Sequence, residues 1–141
     1  MPGIAFKVEE LPLIAGILLD AALADGEVDG SEVQTIRQVL AEAAGLSRLT
    51  PEVVHALRGF DPETFDLAAT CAELGLDTRH RKRELLALVG SVIAADGVID
   101  PGEGAWLGRL AHLMGRTDVQ MERFLDELRQ AAAEIGRAAE D

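Results

Sequence analysis

One acidic phrase occurs twice in this chain, each time between two stretches of helical periodicity. The first copy, 24–32, reads Ala-Asp-Gly-Glu-Val-Asp-Gly-Ser-Glu, and the second, 95–103, reads Ala-Asp-Gly-Val-Ile-Asp-Pro-Gly-Glu. Their common core is Asp-Gly-x-(Val/Ile)-Asp-x-x-Glu. An apolar helical stretch on each side of both copies predicts a helix, a tight acidic connection and a second helix. The sequence therefore predicts that one helix-turn-helix unit is used twice.

The remaining sequence also favours helices. Hydrophobic residues make up 48% of the 141 residues, aromatic residues only 4%, and Tyr is absent, which favours helix over sheet. Capping and Pro signals at Thr50-Pro51 and Asp61-Pro62 predict short helices near 51–58 and 62–74. We predict an all-α fold, a single compact domain of about seven helices with an internal pseudo-twofold helix-turn-helix repeat. The predicted ranges are 1–141 for the domain, about 11–45 and 82–115 for the repeat units, and 117–139 for the C-terminal helix.

The carboxylates of the two phrases suggest a cation site, because oxygen-rich connections between helices commonly hold hard divalent ions. Each phrase matches the second half of an EF-hand loop. The places that must donate the first carboxylate oxygens hold Ala21 and Leu23 in one copy and Val92 and Ala94 in the other, which excludes a true EF-hand. The candidate ligands for a divalent cation such as Ca²⁺, Mg²⁺ or Mn²⁺ are Asp25, Asp29, Glu32, Asp96, Asp100 and Glu103.

Helix capping is an alternative explanation for most of the same residues. The second Asp of each copy is a good N-cap, and a Glu follows three residues later, which is the spacing of a capping box. Pro101 then falls at the first helical position, where Pro is favoured. Capping does not explain Asp25 or Asp96, since a carboxylate in the last turn of a helix faces the negative end of the helix dipole. Those two residues separate the interpretations.

Charge limits the classes of partner. The formal net charge is −12, from 13 Lys and Arg against 25 Asp and Glu, which argues against binding nucleic acid through its phosphate backbone. Cations and basic proteins or peptides fit better. The basic run His80–Arg83 stands out in so acidic a chain. It is interpreted either as a solvated helix face or as a docking spot for an acidic partner, a lipid headgroup or the acidic face of another copy.

No catalytic motif is present, so we predict that the protein is not an enzyme. His55, His80 and His112 have no Cys or Ser motif around them and are expected at the surface or its boundary. Cys71 is expected to be a small buried side chain, and Trp106 a core residue.

Neither a secretory signal nor a membrane span is expected. The first residues lack a basic region followed by a long apolar run, and the most apolar stretch, Leu11 to Ala24, is too short to cross a bilayer and contains Asp20. These features predict a soluble, cytoplasmic protein.

The two phrases together, each after an apolar helix, resemble the TerB-like family of tellurite-resistance and stress-response proteins over roughly Leu11 to Gly115. The resemblance implies a small all-α domain with internal pseudo-symmetry and an acidic cluster that binds or senses metal ions. It also implies a cytoplasmic protein partner in a complex at the periphery of the inner membrane. We therefore expect a non-enzymatic helical module with an acidic surface for a divalent cation or a basic partner. The alternative is a purely structural protein–protein interaction domain whose acidic turns are helix caps.

Overall fold

Helices follow one another along nearly the whole chain. The structure is a computed structural model that describes residues 6–25, 30–45, 47–93 and 101–140, and these residues contain no strand. The seven α-helices are α1 Leu11–Ala22, α2 Gly30–Ala44, α3 Pro51–Arg58, α4 Leu67–Leu74, α5 Arg79–Ile93, α6 Pro101–Leu113 and α7 Asp118–Glu140. Short 3₁₀ turns at Val8–Glu10 and Leu23–Asp25 stand on either side of α1. The predicted all-α single domain is confirmed.

Helix α1 is at the centre of the molecule. It is apolar around nearly its whole circumference, as is typical of a helix enclosed by others. It contacts five other helices, α2 to α6. Ile14, Ala15, Ile17 and Leu18 are completely buried. The core is completed by apolar faces of α5 and α6, so these two helices are held against the same central element.

Several helix ends form where local sequence signals place them. The Thr50 side chain accepts a hydrogen bond from the Val53 amide at the start of α3, and Gly75 ends α4 with a positive φ of 72°. Helices α2 and α6 begin at Gly30 and Pro101, as predicted. These boundaries were predictable because caps, prolines and glycines act on the adjacent backbone.

The prediction of a helix over 62–74 was wrong at its start. Asp61 instead organises a turn in which its Oδ1 accepts from the Glu63 amide at 3.0 Å and its carbonyl accepts from the Phe65 amide at 3.0 Å. The Phe65 ring packs against Gly16 of α1, where a Cβ atom would come within 2.9 Å of a ring carbon. Helix α4 then starts at Leu67, with Asp66 as its N-cap.

The pseudo-twofold repeat stays a prediction. The connections at 26–29 and 94–100, which carry most of the two phrases, lie outside the described residues. No described helix has both the length and the apolar character to cross a bilayer.

Candidate functional site

The two acidic phrases are connected in space through their described residues. The turn Leu23–Asp25, at the end of the first apolar stretch, packs against α6, whose first turn contains the last residues of the second phrase. We call this region, made of that turn and the first turns of α2 and α6, the acidic end. It contains residues of both phrases, among them Glu32 of the first and Glu103 of the second.

A hydrogen bond fixes α6 relative to α1 at this end. The indole Nε1 of Trp106 donates to Oδ2 of Asp20 at 2.7 Å. Trp106 is 1% exposed, which confirms the predicted core position. Its N–H needs an acceptor because a buried polar group without one is costly, and Asp20 supplies it. Asp20 thus holds α6 in place at the acidic end. Its sequence context had indicated only that the first apolar stretch does not span a membrane.

Among the described residues, Glu103 is the single charged residue that is buried, with 7% of its surface exposed. It lies three residues before Trp106 and therefore on the same face of α6. Glu32 is half-buried in the first turn of α2. Both carboxylates already interact with other groups of the protein. Their placement in the first helical turns agrees with the capping alternative.

The side chains of the other four candidate ligands lie outside the described part of the structure. Asp29, Asp96 and Asp100 lie outside the described residues, and Asp25 is described only as part of the 3₁₀ turn backbone. Among the described side chains, no three His, Cys, Asp or Glu residues form a group able to hold a metal ion. The six-ligand cation site therefore stays a prediction. Its donors would all be carboxylate oxygens, which suit hard ions such as Ca²⁺ or Mg²⁺.

The remaining reactive side chains have ordinary positions. His55, His80 and His112 are exposed and Cys71 is buried, as predicted. Burial raises the pKa of the Cys71 thiol, which makes it less reactive.

Arg81 does not belong to a solvated helix face. Its Nη2 donates to Glu10 Oε2 and to the Leu74 carbonyl, each at 2.6 Å, and its Nε donates to the Gly75 carbonyl at 3.1 Å. Its guanidinium also stands 4.7 Å from the centre of the Phe6 ring. Arg81 therefore ties the N-terminal segment to the end of α4.

Glu10 responds electrostatically to this contact. Partial burial raises the pKa of its carboxyl group, but the hydrogen bond and charge of Arg81, together with the Lys7 amide, outweigh that effect. The net result is a pKa below the ordinary value of 4.5. The ionised form of Glu10 is thus favoured in the folded protein.

Other cations of the basic run line a cleft of about 590 Å³ between α5, the end of α6 and α7. We call it the basic cleft. Its cationic residues are Arg79, Lys82, Arg83, Arg116 and Arg123. The sequence analysis missed Arg116 and Arg123, because neither adjoins the run. Tertiary packing brings them there: Gly90 of α5 faces Phe124 and Leu128 of α7.

Comparison with known proteins identifies one family. The family described as tellurite resistance protein TerB matches residues 12–126. No curated protein and no solved structure matches the chain. The family match covers most of the sequence, including both acidic phrases, α1 and the Trp106 contact. The chain therefore belongs to the TerB family.

Proposed function

We propose that this chain is a non-enzymatic helical module of the stress-response and tellurite-resistance type whose acidic end binds a divalent cation or a basic partner. One observation carries the proposal. The turn Leu23–Asp25 packs against α6, and the first turn of α6 holds the buried carboxylate of Glu103.

Electrostatics give this arrangement a function. Burying a carboxylate is costly unless hydrogen bonds or opposite charge compensate it. In the proposed site the other carboxylates of the two phrases would join Glu103, and like charges close together raise one another's free energy when all are ionised. A divalent cation or a basic side chain from a partner would relieve that repulsion. The ligands proposed for the cation are Asp25, Asp29, Glu32, Asp96, Asp100 and Glu103.

The second candidate is a structural interaction domain whose acidic turns are helix caps. It is favoured by the starts of α2 and α6, which place Glu32 and Glu103 at the third helical position that a capping box requires. This candidate gives no role to Asp25 or Asp96. Substituting those two residues therefore separates the two functions.

Thermal melting with Ca²⁺, Mg²⁺ or Mn²⁺ at constant ionic strength tests the cation. A bound ion should stabilise the folded chain by about 2.7 kcal/mol at a hundredfold excess over its dissociation constant. The double variant Asp25→Asn/Asp96→Asn should remove this stabilisation and leave the second Asp of each phrase intact.

The matched control is Glu73→Gln/Asp77→Asn, which removes the same charge at exposed positions of α4 and the loop after it. It should keep the full response to the ion. If no divalent ion raises the melting temperature beyond matched monovalent salt, the cation function fails. A response that survives in Asp25→Asn/Asp96→Asn would place the ion elsewhere.

A further inference from the structure

The basic cleft concentrates positive charge in a chain whose net charge is −12. Its lining has five Arg and Lys residues and one carboxylate, Glu127. None of these five cations forms an ion pair within the described residues. Arg81 of the basic run, by contrast, is paired with Glu10. Like charges around one concave surface repel, because their fields add in the cleft. An anion with more than one negative charge would remove that repulsion.

Arg116 is the most constrained of the five. Its amide donates to the Ala111 carbonyl at 3.0 Å and the Gly115 amide donates to the His112 carbonyl at 3.0 Å, which forms a Schellman motif at the end of α6. Gly115 has the positive φ, 72°, that this motif requires. The backbone thus fixes the direction in which the Arg116 side chain leaves.

A second local motif follows immediately. The Thr117 amide donates to Gln120 Oε1 at 2.9 Å, and the Gln120 amide donates to Thr117 Oγ1 at 3.2 Å, which forms a capping box at the start of α7. Between these two motifs, Nε of Arg116 is buried and has no hydrogen-bond partner in the described structure. A buried donor without an acceptor is costly, so a movement of the Arg116 side chain that brings this N–H to an acceptor in the cleft would be favoured.

We propose that the basic cleft binds a soluble phosphorylated small molecule that carries at least two negative charges. Arginine forks recognise phosphate oxygens through two parallel hydrogen bonds, and the cleft volume is within the range of small-molecule sites. The first turns of α5 and α7 also line the cleft, through Arg79 and Gln120, so the positive ends of their dipoles lie close to it. Buried Leu86 and Met114 and half-buried Phe124 provide an apolar surface for the rest of such a molecule.

The shape of the site favours a small molecule over a membrane. A bilayer surface is flat and meets cations presented on a convex or flat face, whereas Lys82 and Arg116 are half-buried within a concavity. A phosphate-bearing small molecule can enter and reach both. Lipid headgroups carry the same phosphate chemistry, so the experiment must distinguish a soluble phosphorylated molecule from a lipid surface.

Isothermal titration with pyrophosphate and with ADP tests the proposal, at fixed ionic strength and without divalent ions so that the acidic end does not contribute. We expect one saturable site. Arg116→Gln/Arg123→Gln should weaken binding by roughly tenfold or more, because each removes a charge-assisted hydrogen bond. The matched control Arg37→Gln/Arg48→Gln removes two exposed cations outside the cleft and should change affinity by less than about twofold.

Lys82→Gln/Arg83→Gln provides a second test on α5, should the Arg116 variant not fold. Sedimentation with phosphatidylglycerol vesicles, against phosphatidylcholine vesicles, forms the other arm. Binding of either soluble probe that is lost in a cleft variant supports the proposal. Absence of a saturable site for both probes, equal loss in the control variant, or binding to phosphatidylglycerol vesicles alone would overturn it.

Discussion

The acidic end and the basic cleft, which lie at opposite ends of α5 and α6, differ in charge and in the contacts that hold them together. Helix α5 begins in the basic run and ends before the second acidic phrase, about 22 Å away at 1.5 Å per residue. Helix α6 begins within that phrase, at Pro101, and leads to Gly115 and Arg116 at the basic cleft. Both helices therefore connect the acidic end with the basic cleft. A net charge of −12 conceals this separation, since composition does not describe where charges lie.

The acidic end depends on contacts between residues that are distant in sequence. The Trp106–Asp20 hydrogen bond joins residues 86 apart, and Glu103 is buried beside it. Tertiary packing also brings the parts of the basic cleft together, but local motifs fix Arg116, and cations such as Arg79 and Arg83 are exposed. Substitutions at the acidic end should therefore lower the free energy of unfolding more than substitutions of cations at the cleft.

The largest expected effect is that of Trp106→Ala. Truncating a buried aromatic side chain leaves a cavity and should cost about 3–5 kcal/mol of unfolding free energy. Arg123→Ala, at an exposed position of the cleft, should change it by no more than about 0.5 kcal/mol. Urea denaturation of both variants provides the measurement. Similar losses of unfolding free energy in the two variants would contradict the claim that the acidic end contributes more to stability than the cations of the basic cleft.

The next prediction concerns two arginines of one run. Arg81→Gln should cost about 1.5–3 kcal/mol, because it leaves Glu10 and two backbone carbonyls without their charged donor. Arg83→Gln should lie within about 0.5 kcal/mol of the parent chain, as is usual for an exposed position, since Arg83 has no ion pair with any described residue. Urea midpoints again decide. Equal costs would mean that the run acts as one solvated face after all.

Substitution by Ala should change the free energy of unfolding in opposite directions at two glycines: Gly115, which follows α6, and Gly108, in its middle. Gly115→Ala forces a Cβ into the left-handed region and should cost about 1–2 kcal/mol. Gly108→Ala places a Cβ in open space on a regular helix, which should stabilise the chain by about 0.5–1 kcal/mol. Thermal melting distinguishes them. Two stabilised variants would show that the Schellman motif does not hold Arg116 in place.

The sequence predicted those features that local chemistry determines. Helices α2, α3 and α6 begin where caps and prolines place them, and Glu32 and Glu103 occupy the expected first turns. Helix α4, by contrast, starts at Leu67 and not at the predicted Pro62, because the preceding Phe65 packs on a different helix.

Features set by tertiary contact were not predictable. Arg81 meets Glu10 across 71 residues of chain, and Arg116 reaches the basic run only after α6 has folded back. A charge run gives no indication of which member finds a distant carboxylate. For the acidic end, the spacing identified the candidate ligands, but their convergence depends on connections whose geometry no local pattern determines.

The smallest expected effect is the pH dependence of the Arg81–Glu10 contact. Because the pKa of Glu10 is lowered in the folded chain, its contribution to stability is present above its ordinary value of 4.5 and is lost as the pH falls through the folded value. The difference in unfolding free energy between the parent and Glu10→Gln should thus be constant above about pH 5, at about 1 kcal/mol, and shrink below it. Urea denaturation at constant ionic strength across this range measures it. Glu9→Gln is the control, since the exposed Glu9 has no hydrogen bond or ion pair in the described chain and should show a small difference throughout. A difference for Glu10→Gln that stays flat into acid would show that the contact with Arg81 does not depend on the ionised form of Glu10.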